Sequence, residues 1–352
     1  MANFLLLDFF NLVKRYTFLL DSAKEDGEFY SNVSIRVINK IMHTVAEHKI
    51  DFLVVCSDLG FNARANAVLG GSYKANRGRS RSLTQEEREK DYIENLKGLV
   101  KSMPCTFIEV KDVEADNIVY FTVNYLKKHV ENSKFFIATT DTDFLQLLDD
   151  NVSIINWNKG LVTAENWKEV HEFDCEYLKP KDYALLKSMV GDPTDNIKGI
   201  KGFGWKTVLK LLTFLYKKLD KNLTLDNIES VLAYIKDIRE NHINVKKEIT
   251  LCDKMLSLIE ENKEDIVKNY SIVSLEMLET PHITRIMSSL EASLKEKISF
   301  DSKEFINRLR FKERFSNDVD YDRIINKNIK LIYSIKKFAS KAEKLRQQIA
   351  GQ

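Results

Sequence analysis

Proline and glycine are scarce in this sequence, with 4 and 12 among 352 residues. Because these residues interrupt helices and strands, their scarcity predicts a chain made mostly of regular secondary structure. The four cysteines form no CxxC pair and have no zinc-type partner at the usual spacing, which argues against a zinc site or a disulfide scaffold. No stretch approaches the ~20 apolar residues of a membrane span, and no signal peptide is recognisable. We therefore expect a cytoplasmic protein with reduced thiols.

Charge is nearly balanced over the chain, with 54 Lys and Arg against 52 Asp and Glu and a net charge of +2. A total of this kind neither supports nor excludes a nucleic-acid partner, so the distribution of the charges matters more. The segment Tyr321–Gln352 holds eight basic residues and two acidic ones. We predict a basic helix there.

Short apolar runs with the composition of buried parallel strands occur at Phe4–Asp8, Asp51–Asp58, Cys105–Val110 and Lys134–Asp141. They alternate with helical patterns near Asn32–Glu47, Gln85–Lys101 and Ala115–His129. This alternation predicts an α/β domain built on a parallel sheet. A hairpin is predicted within Val152–Thr163, and the pattern from Lys181 onward is helical.

Three of the predicted strands end on an aspartate: Asp8, Asp58 and Asp141. The carboxyl ends of parallel strands lie on one sheet edge, where ligands bind, so these side chains should converge. Further acids stand close to these strand ends or follow later in the chain: Glu114, Asp116, Asp143, Asp192 and Asp195. So many carboxylates in one cleft need a counter-charge, and two magnesium ions about 3.5–4 Å apart would supply it and act on a phosphodiester.

Each acid also has a simpler interpretation. A single aspartate after a strand is usually a turn residue or a helix N-cap, and capping is about as plausible as chemistry for Asp143. Glu114 taken alone is a first-turn acid favoured by the helix dipole. Taken together, three predicted strands end on an aspartate and further acids lie close to these ends. This joint pattern favours a metal site.

The stretch "GIKGFGWKT" places Gly199, Gly202 and Gly204 between two helical patterns and ahead of Lys206 and Thr207. These glycines are compatible with ordinary helix C-caps and turns. The context is also typical of a helix–hairpin–helix, whose backbone N–H groups bind phosphate without reading sequence. We take all five residues as candidate DNA contacts.

The stretch "SYKANRGRSR" combines Tyr73 with Lys74, Arg77 and two further arginines. A basic run is usually a solvated surface, but a tyrosine among cations equally fits nucleic acid by stacking and phosphate neutralisation. The helix that follows should begin at an N-cap on Thr84. Its mixed charges predict an exposed helix.

Together these motifs resemble the 5′-nuclease (flap endonuclease, 5′-3′ exonuclease) family, above all its bacteriophage members of the T-even RNase H type. The matching stretches occur in the family's order: "LLLDFFNL", "SYKANR", "VEADN", "ATTDTDFLQLL" and "VGDPTDNIKGIKGFGWKT". They extend from about residue 3 to residue 212. The last two stretches are the most specific.

The resemblance implies a PIN-like core over residues 1–182 with a helical arch at about 62–102. It further implies a helix–three-turn–helix (helix–hairpin–helix) DNA-binding domain over 183–300, and we assign 301–352 to a basic helical extension. One metal site would use Asp8, Asp58, Glu114, Asp116 and Asp141, and a second would use Asp143, Asp192 and Asp195. Lys74 and Arg77 match the arch cations that contact the scissile phosphate.

The implied cofactors are two Mg²⁺ ions, for which Mn²⁺ can substitute, and a K⁺ ion at the glycine hairpin. The implied activity is 5′→3′ cleavage of flap DNA and RNA–DNA hybrids, which removes RNA primers or flaps in phage replication in the host cytoplasm. The expected partners are branched DNA and replication proteins such as a single-stranded DNA-binding protein, with no membrane and a monomeric chain. The rival hypotheses are a non-catalytic DNA-binding protein and a PIN-type ribonuclease.

One position departs from the family pattern. Asn117 stands where phage members commonly carry a second aspartate after Asp116. If position 117 touches the metal shell, the second ion is expected to bind more weakly in this chain.

Overall fold

The structure is a computed structural model that describes residues 1–17, 27–59, 74, 83–219, 255, 257–309 and 321–351. Its strands are β1 (Ala2–Asp8), β2 (Phe52–Leu59), β3 (Thr106–Lys111), β4 (Ser133–Ala138), β5 (Val152–Asn156), β6 (Gly160–Val162), β7 (Gly191–Asp192) and β8 (Ile197–Lys198). The helices of the amino-terminal half are α1 (Phe9–Thr17), α2 (Gly27–Glu47), α3 (Leu83–Lys101), α4 (Ala115–His129) and α5 (Trp167–Val170). Those that follow are α6 (Tyr183–Val190), α7 (Trp205–Leu219), α8 (Lys263–Val273), α9 (Thr280–Lys295), α10 (Ser302–Leu309), α11 (Tyr321–Lys327) and α12 (Ile329–Ala350).

The main sheet has the order β3-β2-β1-β4-β5-β6. Strands β1 to β5 are parallel, and β6 returns antiparallel to β5 in the predicted hairpin, with Asn156 opposite Gly160. Strand β1 lies at the centre, and its residues Phe4–Leu7 are completely buried. A strand covered on both faces needs a continuous apolar run, which is why "FLLL" does not alternate.

Two helices from the carboxyl-terminal half pack on the sheet domain. Helix α9 contacts the edge strand β3 and helix α4, and helix α12 contacts α2, β2 and α9. The buried residues of α12 repeat at three- and four-residue spacing, which is the pattern of one apolar helix face: Leu331, Ile335, Phe338, Ala342 and Ile349. The hydrophobic core is consequently continuous from Phe4 to Ile349.

Helix α3 differs from its prediction in two respects. It begins at Leu83, so Thr84 lies inside the helix and is not its N-cap. Its carboxyl-terminal half is a core element, with Tyr92, Leu96 and Leu99 almost fully buried. The charged residues that suggested an exposed helix are concentrated in the first half and mask the apolar three- and four-residue spacing of the second half.

The basic segment from residue 321 is two helices, where one was predicted. Asn328 leaves the helical conformation between α11 and α12, with φ −111° and ψ 17°. Its side-chain amide donates to the Ile324 carbonyl, which satisfies a free acceptor at the end of α11. In the part of the chain that the structure describes, no helix has the length and apolar content needed to cross a membrane.

Candidate active site

All eight candidate carboxylates line a single cleft of about 370 Å³ at the carboxyl edge of the sheet: Asp8, Asp58, Glu114, Asp116, Asp141, Asp143, Asp192 and Asp195. Lys14, Lys74 and Lys187 line the same cleft. These carboxylates come from strand ends, helix starts and a distant hairpin. They meet at the carboxyl edge of the parallel sheet, where convergence was predicted.

The first strand ends bring two acids together. Asp8 is the last residue of β1 and Asp58 the last but one of the neighbouring β2, with Asp8 paired to Cys56 in the parallel register. The Asp58 carboxylate accepts a hydrogen bond from the Ala115 backbone N–H at 2.6 Å. This bond fixes the start of α4 beside Asp58, because an anion is favoured at a helix N-terminus. Glu114, the N-cap residue of α4, and Asp116 in its first turn reach the cleft in this way.

The third strand end is positioned by Asn11. Strand β4 stops at Ala138 and not at Asp141, since Thr139 and Thr140 form the link to the next element. The Asn11 side chain accepts from the Thr140 N–H at 2.9 Å, and the Asn11 N–H donates to the Asp8 carboxylate at 3.1 Å. Asn11 therefore joins the ends of β1 and β4. The sequence offered no signal for this role.

Asp141 also acts as a helix cap. Its carboxylate accepts from the Asp143 N–H at 2.9 Å and starts a short 3₁₀ helix at Thr142–Leu147. The sequence makes a capping role plausible for Asp143, but in the structure Asp141 is the cap. Asp143 is almost fully buried and turns its carboxylate into the cleft.

The second group of acids is compact. One carboxylate oxygen from each of Asp143, Asp192 and Asp195 lies within 4.8 Å of the others, an arrangement that could hold a metal ion. Asp192 is held by hydrogen bonds from Thr194, at 2.8 Å from the backbone N–H and 2.6 Å from the hydroxyl. These bonds form at the short turn Pro193–Asp195 that follows the two-residue strand β7.

Lys187 is a site residue that the sequence analysis missed. It lies on α6, and its buried ammonium contacts Asp143 and lies 2.7 Å from Asp192. Burial opposes its charge, but the carboxylates, led by Asp143, outweigh burial and raise the pKa of Lys187. A single lysine within the otherwise apolar run "YALLKSMV" was the signal that could have identified it, because an isolated charge on a buried helix needs a partner.

Lys74 supplies the second ammonium in the cleft. It donates to Glu114 through its side chain and to the Asp195 carbonyl through its backbone N–H, the latter at 3.2 Å. Burial again opposes the charge, yet the nearby acids, led by Glu114, raise the pKa of Lys74. The two other residues predicted beside it, Tyr73 and Arg77, lie outside the described residues.

Burial and mutual repulsion disfavour the ionised acids. Removal from water raises the pKa of Asp8 to about 7, with the charge of Asp58 adding to the rise. Burial likewise raises the pKa of Asp143 to about 7, although Lys187 opposes it. Burial and then Glu114 raise the pKa of Asp116 well above its ordinary range. A cleft of this kind has a deficit of positive charge, which divalent cations can supply.

Asn117 does not belong to the cleft. Its side chain is buried, and its amide donates to the Leu275 carbonyl at 3.0 Å, just after α8. One residue past Asp116, the helical rotation of about 100° turns position 117 away from the acids. The condition that position 117 touches the metal shell is therefore not met in this structure. The role of Asn117 is to hold α4 to the segment around Leu275.

The glycine hairpin follows directly from the second acid group. Helix α6 ends at Gly191, whose φ is +83°, and β7 and β8 pair so that Gly191 lies opposite Lys198. A Cβ on Gly199 would lie 1.9 Å from the Val190 carbonyl oxygen. Gly199 is thus required by close backbone packing and not only by contact with a ligand.

Gly202, Gly204 and Lys206 are exposed to solvent. Gly202 has a φ of +89°, which favours glycine, and a Cβ there would meet nothing within 4 Å. Gly204 also faces open space and precedes α7, which begins at Trp205. Lys206 is exposed and Thr207 is half-buried in the first turn of α7. The first turn of an accessible helix suits an anion such as phosphate.

Comparison with known proteins agrees with this geometry. Residues 3–176 match the family described as 5′-3′ exonuclease, N-terminal resolvase-like domain. The thermostable DNA polymerase I of Thermus thermophilus is 31% identical over 185 residues, which are 51% of this chain and 21% of that polymerase. The 5′-3′ exonuclease of Halalkalibacterium halodurans is 24% identical over 293 residues, covering 79% of this chain and 89% of that protein. The chain thus spans about a fifth of the polymerase and most of the exonuclease.

Solved structures show the same fold. The T5 D15 protein co-crystallised with metal ions has a TM-score of 0.61 at 19% identity, covering 84% of this chain and 99% of that one. The bacteriophage T5 flap endonuclease in a complex with DNA and metal ions has a TM-score of 0.59 at 18% identity, covering 96% and 100%. The predicted PIN-like α/β fold is confirmed by these similarities and by the parallel sheet.

Proposed function

We propose, on the match of residues 3–176 to the 5′-3′ exonuclease N-terminal domain family, that this chain is a divalent-metal-dependent 5′→3′ nuclease. The observation that carries the proposal is the convergence of eight carboxylates in one cleft, together with the buried Lys187 and the half-buried Lys74. No other common chemistry needs so many acids at one point, whereas phosphodiester hydrolysis with two metal ions does.

The donor set fits magnesium or manganese. Every candidate ligand atom is a carboxylate oxygen, which suits hard cations, and no described cysteine or histidine lines the cleft. Asp8, Asp58, Glu114, Asp116 and Asp141 would hold one ion, and Asp143, Asp192 and Asp195 would hold the other. Bound there, the ions would supply Lewis acidity and a nucleophilic water at neutral pH.

The lysines have separate roles in this proposal. Lys74 keeps its proton, because the surrounding acids raise its pKa, and its ammonium is therefore a fixed positive charge for the scissile phosphate. Arg77 would add a second charge. Lys187 balances Asp143 and Asp192 and so orients the second group of acids.

The glycine hairpin would bind the duplex away from the cut bond. Backbone N–H groups around Gly202 and Gly204, together with Lys206 and Thr207, would contact phosphates without reading sequence. Gly199 would shape the hairpin, and the hairpin would hold the K⁺ ion. Tyr73 would stack on a base of the unpaired strand.

The proposed substrates are branched and 5′-flap DNA and RNA–DNA hybrids. The proposed role is removal of RNA primers or flaps in phage replication within the host cytoplasm, by a monomer that meets other replication proteins. The proposed units are residues 1–182, with the arch at about 62–102, then 183–300 and 301–352.

The test is cleavage of three labelled substrates by the full chain with Mg²⁺: a 5′-flap DNA, an RNA–DNA hybrid and a single-stranded RNA. Cleavage of the first two, with product sizes that place the cut near the junction, is expected. Tight flap binding without cleavage would instead identify a non-catalytic DNA-binding protein. Preference for the single-stranded RNA would identify a PIN-type ribonuclease.

A further inference from the structure

A second large concavity lies between helices α2 and α12, and we call it the basic groove. Its volume is about 1320 Å³, more than three times that of the carboxylate cleft. Its floor is apolar and made of side chains that are less than a tenth exposed: Met42, Val45, Ile50, Leu331 and Phe338. The groove therefore has apolar surface at its base that a partner could cover.

The rim of the basic groove carries charge of one sign. Seven Lys and Arg side chains line it, and among the described residues no Asp or Glu does: Arg36, Lys40, Lys49, Lys330, Lys337, Lys341 and Lys344. Lys341 is paired with Asp51 at 2.6 Å, and Lys40 lies over the Trp157 ring. The other five have no carboxylate partner in the described part of the chain. The rim is therefore a positive field that an anionic partner would complete.

An apolar floor and a cationic rim select the same kind of occupant. A nucleic-acid strand would pair its phosphates with the cationic rim, but its charged backbone would not bury the aliphatic floor. A peptide with acidic and large apolar side chains satisfies both, as in helix-in-groove recognition. Tyr333 stands at the edge with 71% of its surface exposed, and tyrosine is a frequent anchor of protein interfaces.

The position of the groove separates it from the cleft. Lys49 and Ile50 precede β2, so this end of the groove lies at the amino edge of the sheet, whereas Asp58 is the last but one residue of β2, at the opposite edge. An occupant would leave the carboxylates accessible. We propose that the basic groove docks an acidic, amphipathic segment of a partner protein while the cleft remains open to substrate.

The test is fluorescence anisotropy with the full chain and a labelled peptide of about 12 residues, about 18 Å long as a helix, with glutamate and leucine on opposite faces. We expect saturable binding that weakens with salt. Two neighbours on α12 provide a matched pair, since Lys337 lines the groove while Lys336 is also exposed but does not. Lys337→Glu should weaken binding about fivefold and Lys336→Glu less than about twofold.

Tyr333→Ala tests the apolar contribution and should weaken binding about tenfold, with little risk to the fold because the side chain is exposed. Flap cleavage should be unchanged in all three variants. A peptide with glutamine in place of glutamate should bind at least about tenfold more weakly.

Three results would overturn the proposal. One is the absence of saturable binding of the acidic peptide up to about 1 mM, the weakest affinity worth considering. Another is an equal loss for Lys336→Glu and Lys337→Glu, which would indicate unspecific attraction. The third is an oligothymidylate that binds more tightly than the peptide and loses affinity in Lys337→Glu, which would make the groove a nucleic-acid surface.

Discussion

The ammonium of Lys187 lies 2.7 Å from the Oδ2 atom of Asp192, and it contacts Asp143 as well. A buried cation between two carboxylates occupies the position of a counter-ion in the second acid group. Without it, two largely buried negative charges would face each other, and such charges are destabilising unless paired.

The first prediction concerns this lysine. Lys187→Met should lower the free energy of unfolding by about 3–5 kcal/mol in EDTA, because the acids lose their partner. Saturating Mg²⁺ should recover much of that loss. The control is Lys181→Met, an exposed position near the start of α6. Urea unfolding with and without Mg²⁺ measures both variants, and an equal loss under the two conditions would contradict the pairing argument.

The second prediction concerns Asn117. Asn117→Asp should destabilise the protein by about 1–3 kcal/mol, because it places a carboxylate against the Leu275 carbonyl and removes a donor. The Mg²⁺ dependence of cleavage should not change. Asn124→Asp, on the same helix and only partly buried, is the matched control for stability. Stronger Mg²⁺ binding by the Asn117 variant would return this position to the metal shell.

The third prediction concerns Asp141. Asp141→Asn should reduce flap cleavage by at least about 10²–10³-fold, because it removes a charge from the proposed ion site. The cap should survive, since the amide oxygen can still accept from the Asp143 N–H. Flap binding and unfolding free energy should therefore remain close to those of the wild type. Full activity of the folded variant would exclude Asp141 as a ligand.

The fourth prediction concerns pH. The pKa values of Asp8 and Asp143 are raised to about 7, so their protonated forms stabilise the metal-free fold. This contribution is complete below about pH 4 and is lost as the pH rises through about 7. Stability in EDTA should thus fall between about pH 4 and pH 7 and change little above that range. Asp8→Asn should flatten the fall, whereas Asp150→Asn, at an exposed site, should not.

The fifth prediction separates the hairpin from the cleft lysine. Gly204→Val places a side chain in open space, so the fold should tolerate it while an approaching phosphate backbone should not. Duplex affinity should fall with little change in the single-turnover rate at saturation. Lys74→Ala should instead lower the saturated rate by about 10²-fold or more with a smaller loss of affinity.

Gly202→Val is a less specific variant than Gly204→Val, because its φ of +89° adds strain to the fold itself. Single-turnover cleavage of one flap substrate over a range of enzyme concentrations distinguishes rate from affinity. If the glycine variant loses rate at saturation and the lysine variant loses only affinity, the two roles have been assigned in reverse.

The sheet and its acidic edge were predictable because their signals are local. Apolar runs that stop on an acid mark buried strands with ligands at their carboxyl ends, and Asp8 and Asp58 follow this rule directly. The end of β4 was misplaced by three residues, since "ATTD" continues the strand composition while Asn11 in fact draws Thr140 out of the ladder.

The missed features depend on contacts between distant parts of the chain. The role of Lys187 depends on its contact with Asp143. The role of Asn117 depends on its hydrogen bond to Leu275, which is more than 150 residues away in the sequence. The inward side of α3 was hidden by the charges of its first turns. Local composition is a reliable guide to which elements form, but it does not determine which face of each element meets a partner.

Asp192 and Asp195 line the cleft but lie beyond the family match, so the order of synthesis affects when the cleft is completed. The family match ends at residue 176, before Lys187 and both of these acids. The Asn269 amide, which donates to the Ser188 and Lys198 carbonyls, is synthesised later still. Domains generally fold as they are synthesised. A product of interrupted translation that ends at residue 176 would thus carry the six strands of the main sheet but only part of the carboxylate cleft. The carboxylate cleft is complete only once residue 195 has been made.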